Sequence, residues 1–201
     1  CHYALDSTVH PLVYAVTSSI CKEDHKKESE VHVGLEADID VWLLHQRGKT
    51  IQDYDVFHDL KVSEKDREKL AKMYHVMFRD VLHLNIPERQ FRQTITEISF
   101  WTGFIRPLNG VYHVIHACEN VIGNHAFSNM MLCNRKDEKI INTDHQAYMV
   151  PWAPHTVVTA SFPELYGKAF TKACRLIENH TKSDFLLDFN GEETQFQNRE
   201  I

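Results

Sequence analysis

The chain has 201 residues, a formal net charge of −6, and 43% hydrophobic against 25% charged side chains. That is enough for one globular domain with its own core, and the negative balance argues against general nucleic-acid binding, which needs a basic face. Seven glycines and six prolines leave little material for the many tight turns of a sandwich or barrel. The expected fold class is therefore mainly α, a single-domain, bundle-like helical fold over residues 1–190 with a few short irregular or strand segments, followed by a polar C-terminal tail at 191–201.

Residues 1–20 are mixed in pattern, and Pro11 to Thr17 reads as either a short strand or a turn of helix, since short apolar runs do not decide between them. CKEDHKKESE, residues 21–30, reads as a charged loop or an exposed helix end. Residues 31–46 read as helical in their second half, where Ile39, Val41, Trp42, Leu43 and Leu44 cluster, and Arg47-Gly48-Lys49 breaks the pattern. Residues 50–60 are a short helix or irregular. Ser63 then opens a clear helix with a box-like Ser63-x-x-Asp66 start. Its stripe of Leu70, Met73, Tyr74, Met77, Phe78 and Val81 has core spacing.

The stretch 87–123 is the expected centre of the molecule. Pro87 suits a first helical turn, and Phe91, Ile95, Ile98, Thr102 and Ile105 share one side. Phe100 and Phe104 make the last two turns apolar all round, as in a buried helix. Arg106-Pro107-Leu108-Asn109-Gly110 stops the helix and turns the chain. A second helix follows over 111–122, antiparallel to the first, with Val111, Val114, Ile115, Cys118 and Ile122 on its apolar side. His113, His116 and Asn120 lie opposite, with Glu119 at the flank. A helical piece is expected over 124–133 and a polar loop over 134–139. The segment 140–160 is irregular, with Trp152 among prolines. Ser161-Phe162-Pro163-Glu164 opens a last helix to about residue 179, with Tyr166, Phe170, Ala173 and Ile177 inward. Residues 185–189 read as packing back on the body.

Five cysteines, widely spaced and without a CxxC pair, do not make a disulfide scaffold and favour a cytoplasmic compartment. Asn179-His180-Thr181 matches a glycosylation sequon and leaves a secreted form open. Cys118 and Cys174 read as small core residues. No run reaches the roughly 18 apolar residues of a membrane span, and no partner is identified.

The fourteen histidines offer the first candidates for chemistry. His113, His116 and Glu119 recur at three-residue spacing, so they fall on neighbouring parts of one helix face, and His125 follows one turn beyond its end. Two or three imidazoles with a carboxylate suit a divalent metal, zinc or manganese. His113, His116, Glu119 and His125 are the candidate ligands, with Glu97 and His116 as candidate catalytic groups. Glu97 is expected to be an acid or base if the side it shares with Phe100 and Phe104 is buried. Leu43-Leu44-His45-Gln46-Arg47-Gly48-Lys49 resembles the LLHDxGK signature of HD-domain metal phosphohydrolases, with Gln46 where that family carries its metal-binding aspartate, and Phe57-His58-Asp59 supplies a His-Asp pair outside that context. GxSxG, P-loop and GxGxxG motifs are absent, which removes the hydrolase elbow and the common nucleotide fingerprints. The function expected is a metal-assisted hydrolase, a phosphoester being one substrate class. The alternatives are a helical protein-binding or effector module without catalysis, using the aromatic segment around Trp152, and a fragment of a larger enzyme.

Overall fold

The structure is a computed structural model that describes residues 1–25, 27–54, 58, 61–105, 111–123, 125–131, 138–153 and 155–193. Among these are seven α-helices: α1 (His2–Asp24), α2 (Glu28–Gln46), α3 (Glu64–Leu82), α4 (Glu88–Ile105), α5 (Val111–Ile122), α6 (Ala126–Met130) and α7 (Phe162–Glu178). Two short strands, β1 (Tyr148–Met149) and β2 (Val157–Val158), pair antiparallel, Tyr148 opposite Val158 and Met149 opposite Val157. The fold is mainly α, as the composition indicates, and no described helix is long and apolar enough to cross a membrane.

The centre is α1, not the stretch 87–123. Val9, Leu12, Val13 and Val16 of α1 meet Leu35 and Ile39 of α2, Phe162 and Leu165 of α7, and Ile140 and Ile141 of the 3₁₀ turn Lys139–Ile141. Because α2, α7, that turn and both strands all pack on α1, its buried residues face several directions. Such a helix shows no clean single-sided stripe, which is why residues 1–20 read as mixed. Pro11 lies within α1. Lacking an N–H, it leaves the carbonyl of Ser7 without its helical donor, and the chain exploits the gap. Gly191, at φ +80°, lies so close that a Cβ there would fall 2.8 Å from the Ser7 carbonyl oxygen and 2.8 Å from Pro11 Cγ. Gly191→Ala is expected to lower stability by about 1–3 kcal/mol, from the clash and the left-handed backbone, read as a lower denaturant midpoint. Residues 191–193, expected in the tail, thus lie against α1 or pair locally, with Glu193 bridged to Leu187; residues 194–201 lie outside the described residues.

The amphipathic stripes of the outer helices sit differently from their expected positions. Helix α3 begins on Ser63, whose hydroxyl accepts from Asp66 N at 3.2 Å. Yet Met73, Tyr74, Met77 and Val81 are all exposed. Only part of the stripe is covered, by α4, where Phe91 meets Tyr74 and Phe78 at ring-centroid distances of 5.8 and 5.1 Å. On α4 itself Ile98, Phe100 and Trp101 are exposed, so this helix is not buried all round. In α7 the buried side is Phe162, Leu165, Ala169 and Ala173, and Phe170 and Ile177 face water. Cys118 and Cys174 are likewise exposed, and the described cysteines carry free thiols.

The C-terminal segment returns to the body as expected, through Tyr3. Its ring meets Phe185 at 5.1 Å and Phe189 at 5.6 Å, and its hydroxyl donates to the Leu187 carbonyl at 2.9 Å. Asp184 holds this turn, accepting from Thr181 N at 2.7 Å and from the Arg175 guanidinium. Arg175 and the Thr181 donors hold its carboxyl well below the ordinary value, at about 2. A depressed folded value contributes stability above pH 3.8 that is lost as the pH falls through about 2. The segment is therefore expected to detach in acid, read as rising proteolysis near Phe185. Arg175→Ala is expected to move that loss to higher pH.

Candidate metal centre

The candidate ligands are set by α5, by the link to α6, and by the way α5 faces. Asn129 of α6 donates through Nδ2 to the Glu30 carbonyl of α2 at 3.2 Å, which anchors the unit to the body. The flank of α5 that carries Glu119 then turns inward, between the apolar and polar sides. Glu119 is buried at 6% exposure, whereas Val114, Val121 and Ile122 are 65%, 88% and 77% exposed. A carboxylate enters a protein interior only where donors meet it. Here Glu119 Oε1 accepts from Phe127 N at 2.7 Å and Oε2 from Ser128 N at 3.0 Å, the otherwise orphaned donors at the start of α6. Burial alone pushes the Glu119 carboxyl up; hydrogen bonds from the Ser128 side chain, Ser128 N and Phe127 N, with the His125 imidazole nearby, outweigh it and bring the carboxyl below its ordinary value. Glu119 is an anion at neutral pH.

Two imidazoles join it. One ligand atom from each of His116, Glu119 and His125 lies within 4.8 Å of the others. The two rings are 5.2 Å apart between centroids, tilted by 39°. His116 Nδ1 is 3.3 Å from the hydroxyl of Ser128, a fully buried residue. His125 Nδ1 is shielded from water and has no hydrogen-bond partner among the described residues, an arrangement that is costly unless something else occupies the lone pair. The rings and Asn120 line a cleft of about 390 Å³ together with Asp24 of α1, with Glu30, Gly34 and Asp38 of α2, and with Lys139.

The four candidate ligands are thus not all together. His116, Glu119 and His125 converge, whereas His113 is exposed and lies edge-on to Tyr112 at 5.5 Å. Three residues turn an α-helix by about 300°. His113 and Glu119 therefore flank His116 by about 60° on opposite sides, and the body covers the Glu119 side. Glu97 is exposed on α4, accepting from Gln93 Nε2 at 2.7 Å, and does not line the cleft. The expected pairing of residues 87–105 with 111–122 is not among the substantial helix contacts, which join α4 to α3 and α5 to α6. The turn at 106–110, and Asp59 of the His58-Asp59 pair, lie outside the described residues; His45 is exposed near the end of α2.

A second cluster escaped sequence reading. His10 of α1, with His32 and Glu36 of α2, also places three ligand atoms within 4.8 Å of one another. The four-residue spacing of His32 and Glu36 on one helix was legible, but its partner sits on the helix that showed no stripe. Comparison with protein-family models, with curated proteins and with solved structures finds no match to this chain.

Proposed function

We propose that the chain binds a divalent transition metal through His116, Glu119 and His125 and uses it for metal-assisted hydrolysis. The observation that carries this reading is the convergence of an ionised carboxylate with two imidazoles, those of His116 and His125, that line a cleft. Two histidines and a glutamate are a recurring catalytic zinc set, leaving a coordination position for water whose pKa the metal lowers toward neutrality. Two imidazoles favour zinc over manganese, which prefers oxygen donors. A proton on His116 Nδ1, donated to Ser128, leaves Nε2 as the ligand atom, the outer-shell arrangement typical of metal-bound histidine. We assign the general-base role to Asp38, a buried carboxylate of the cleft, in place of Glu97. Asp24, Glu30, Asp38 and Lys139 line the cleft, and with a divalent cation held there the substrate classes are an ester, an amide or a phosphoester.

The test is metal content after chelation and reloading with zinc, alongside turnover of a panel of chromogenic esters and peptides. His125→Ala is expected to lower the zinc bound by one equivalent and to abolish chelator-sensitive turnover. Unchanged zinc content in both His116→Ala and His125→Ala proteins overturns the reading. The binding-module alternative draws support from Val114, Val121, Ile122 and Phe127, which leave an apolar surface facing water.

A further inference from the structure

We propose that His10, His32 and Glu36 form a second divalent-metal site, which fastens α1 to α2 independently of the cleft. Both imidazoles aim Nε2 at one carboxylate oxygen: Glu36 Oε1 is 3.3 Å from His10 Nε2 and 3.2 Å from His32 Nε2. Charge-assisted hydrogen bonds between such groups settle at about 2.7–2.9 Å, so both contacts are long for that role. They match the edge of a tetrahedron around zinc, about 3.3 Å for ligand bonds of about 2.0 Å. The rings stand at 69° to each other with centroids 5.4 Å apart, and one ligand atom from each lies within 4.8 Å of the other and of the carboxylate. The ring of Tyr14 closes one side, 4.5 Å from His32 and 5.7 Å from His10, and Trp152 backs Tyr14 at 5.2 Å.

The surroundings favour a cation. Asp6 acts electrostatically on His10, and Glu36 on Asp40. The two histidine side chains are 16% exposed, while that of Glu36 is 44% exposed. The nitrogen ligands are thus largely shielded from water, and the carboxylate end stays open for a metal to enter and for water to complete the coordination. Binding replaces the protons that the imidazoles share with Glu36, so uptake releases protons and weakens in acid. Because α1 is the centre of the core, a metal here would tie it to α2 and raise the stability of the whole chain.

The experiment titrates the full chain with cobalt(II) and zinc at neutral pH, reading equivalents bound, the cobalt visible spectrum and the thermal midpoint. Glu36→Gln keeps an acceptor oxygen of the same shape, so the fold is retained, checked by far-ultraviolet circular dichroism. Two equivalents are expected for the parent chain. One is expected for Glu36→Gln and for His32→Ala, with affinity at the lost site down by more than about 100-fold and the zinc-induced rise in midpoint largely gone. His125→Ala is expected to keep that rise. If one equivalent binds to the parent chain and only Glu36→Gln removes it, the proposal stands and the cleft reading falls. If Glu36→Gln leaves both stoichiometry and the zinc-induced shift unchanged, or if no metal binds, the cluster is a hydrogen-bonded clamp and the proposal is overturned.

Discussion

Phe162→Ala is expected to destabilise the protein by about 3–5 kcal/mol, the usual cost of removing a buried aromatic ring from a packed core. Phe162 is 1% exposed, and its ring meets Trp42 of α2 at 5.7 Å and Tyr166 at 5.8 Å. It sits where α7 closes over α1 and α2, so the void left by truncation is walled by three helices that cannot all move in. Nothing polar compensates. The capping box that starts α7, where Ser161 N and Oγ donate to Glu164 Oε2 at 2.8 and 2.9 Å, remains intact, so the loss is one of packing alone. Denaturant titration checks it: the midpoint is expected to fall with an unchanged slope. The control is Phe100→Ala, in the stretch of the sequence with the densest aromatic content. Phe100 is 65% exposed, and its removal is expected to cost less than about 1 kcal/mol. Equal costs at the two positions would place the core where the sequence pattern suggested and refute the arrangement around α1.

Glu119→Ala is expected to cost about 2–4 kcal/mol and to abolish metal binding at the cleft. Each carboxylate oxygen receives one backbone donor from the first turn of α6, and stranding two such donors costs about 1–2 kcal/mol apiece. Glu119→Gln separates the two roles. Its single amide oxygen satisfies one donor, so about half the stability returns, whereas the lost charge removes the anionic ligand. Denaturant midpoints measure the first effect and zinc equivalents the second. A Glu119 that only caps α6 would lower stability in both variants and leave zinc binding through His116 and His125 undiminished.

The same pair of helices shows why a stripe of apolar residues is an incomplete guide to burial. The extent of α5 to Ile122 was legible, and the start of α3 at Ser63 and of α7 at Ser161 followed from side chains that satisfy orphan donors locally. Which side of α5 meets the body was not legible. The apolar side suggested Val114 and Ile122 inward, but two backbone donors of α6, itself tied to the Glu30 carbonyl through Asn129, draw in the flank that carries Glu119. The spacing of His116 and Glu119 is a property of one helix and could be read from the chain. Their meeting with His125, and the loss of His113 and Glu97 from the group, depend on a turn and a packing direction that no periodicity encodes.

Local chemistry in the sequence by itself determined the helical class, the scarcity of strand, the helix starts at Ser63 and Ser161, and the residue types able to hold a metal. Each of these depends on neighbours within a few positions. Only the tertiary structure decided that α1, with Pro11 inside it, is the core, and that the aromatic stretch around Phe100 lies at the surface. The physical reason is that a helix covered on several sides is apolar in several directions and loses its period. A helix paired along one seam keeps a clear stripe even when much of that stripe faces water.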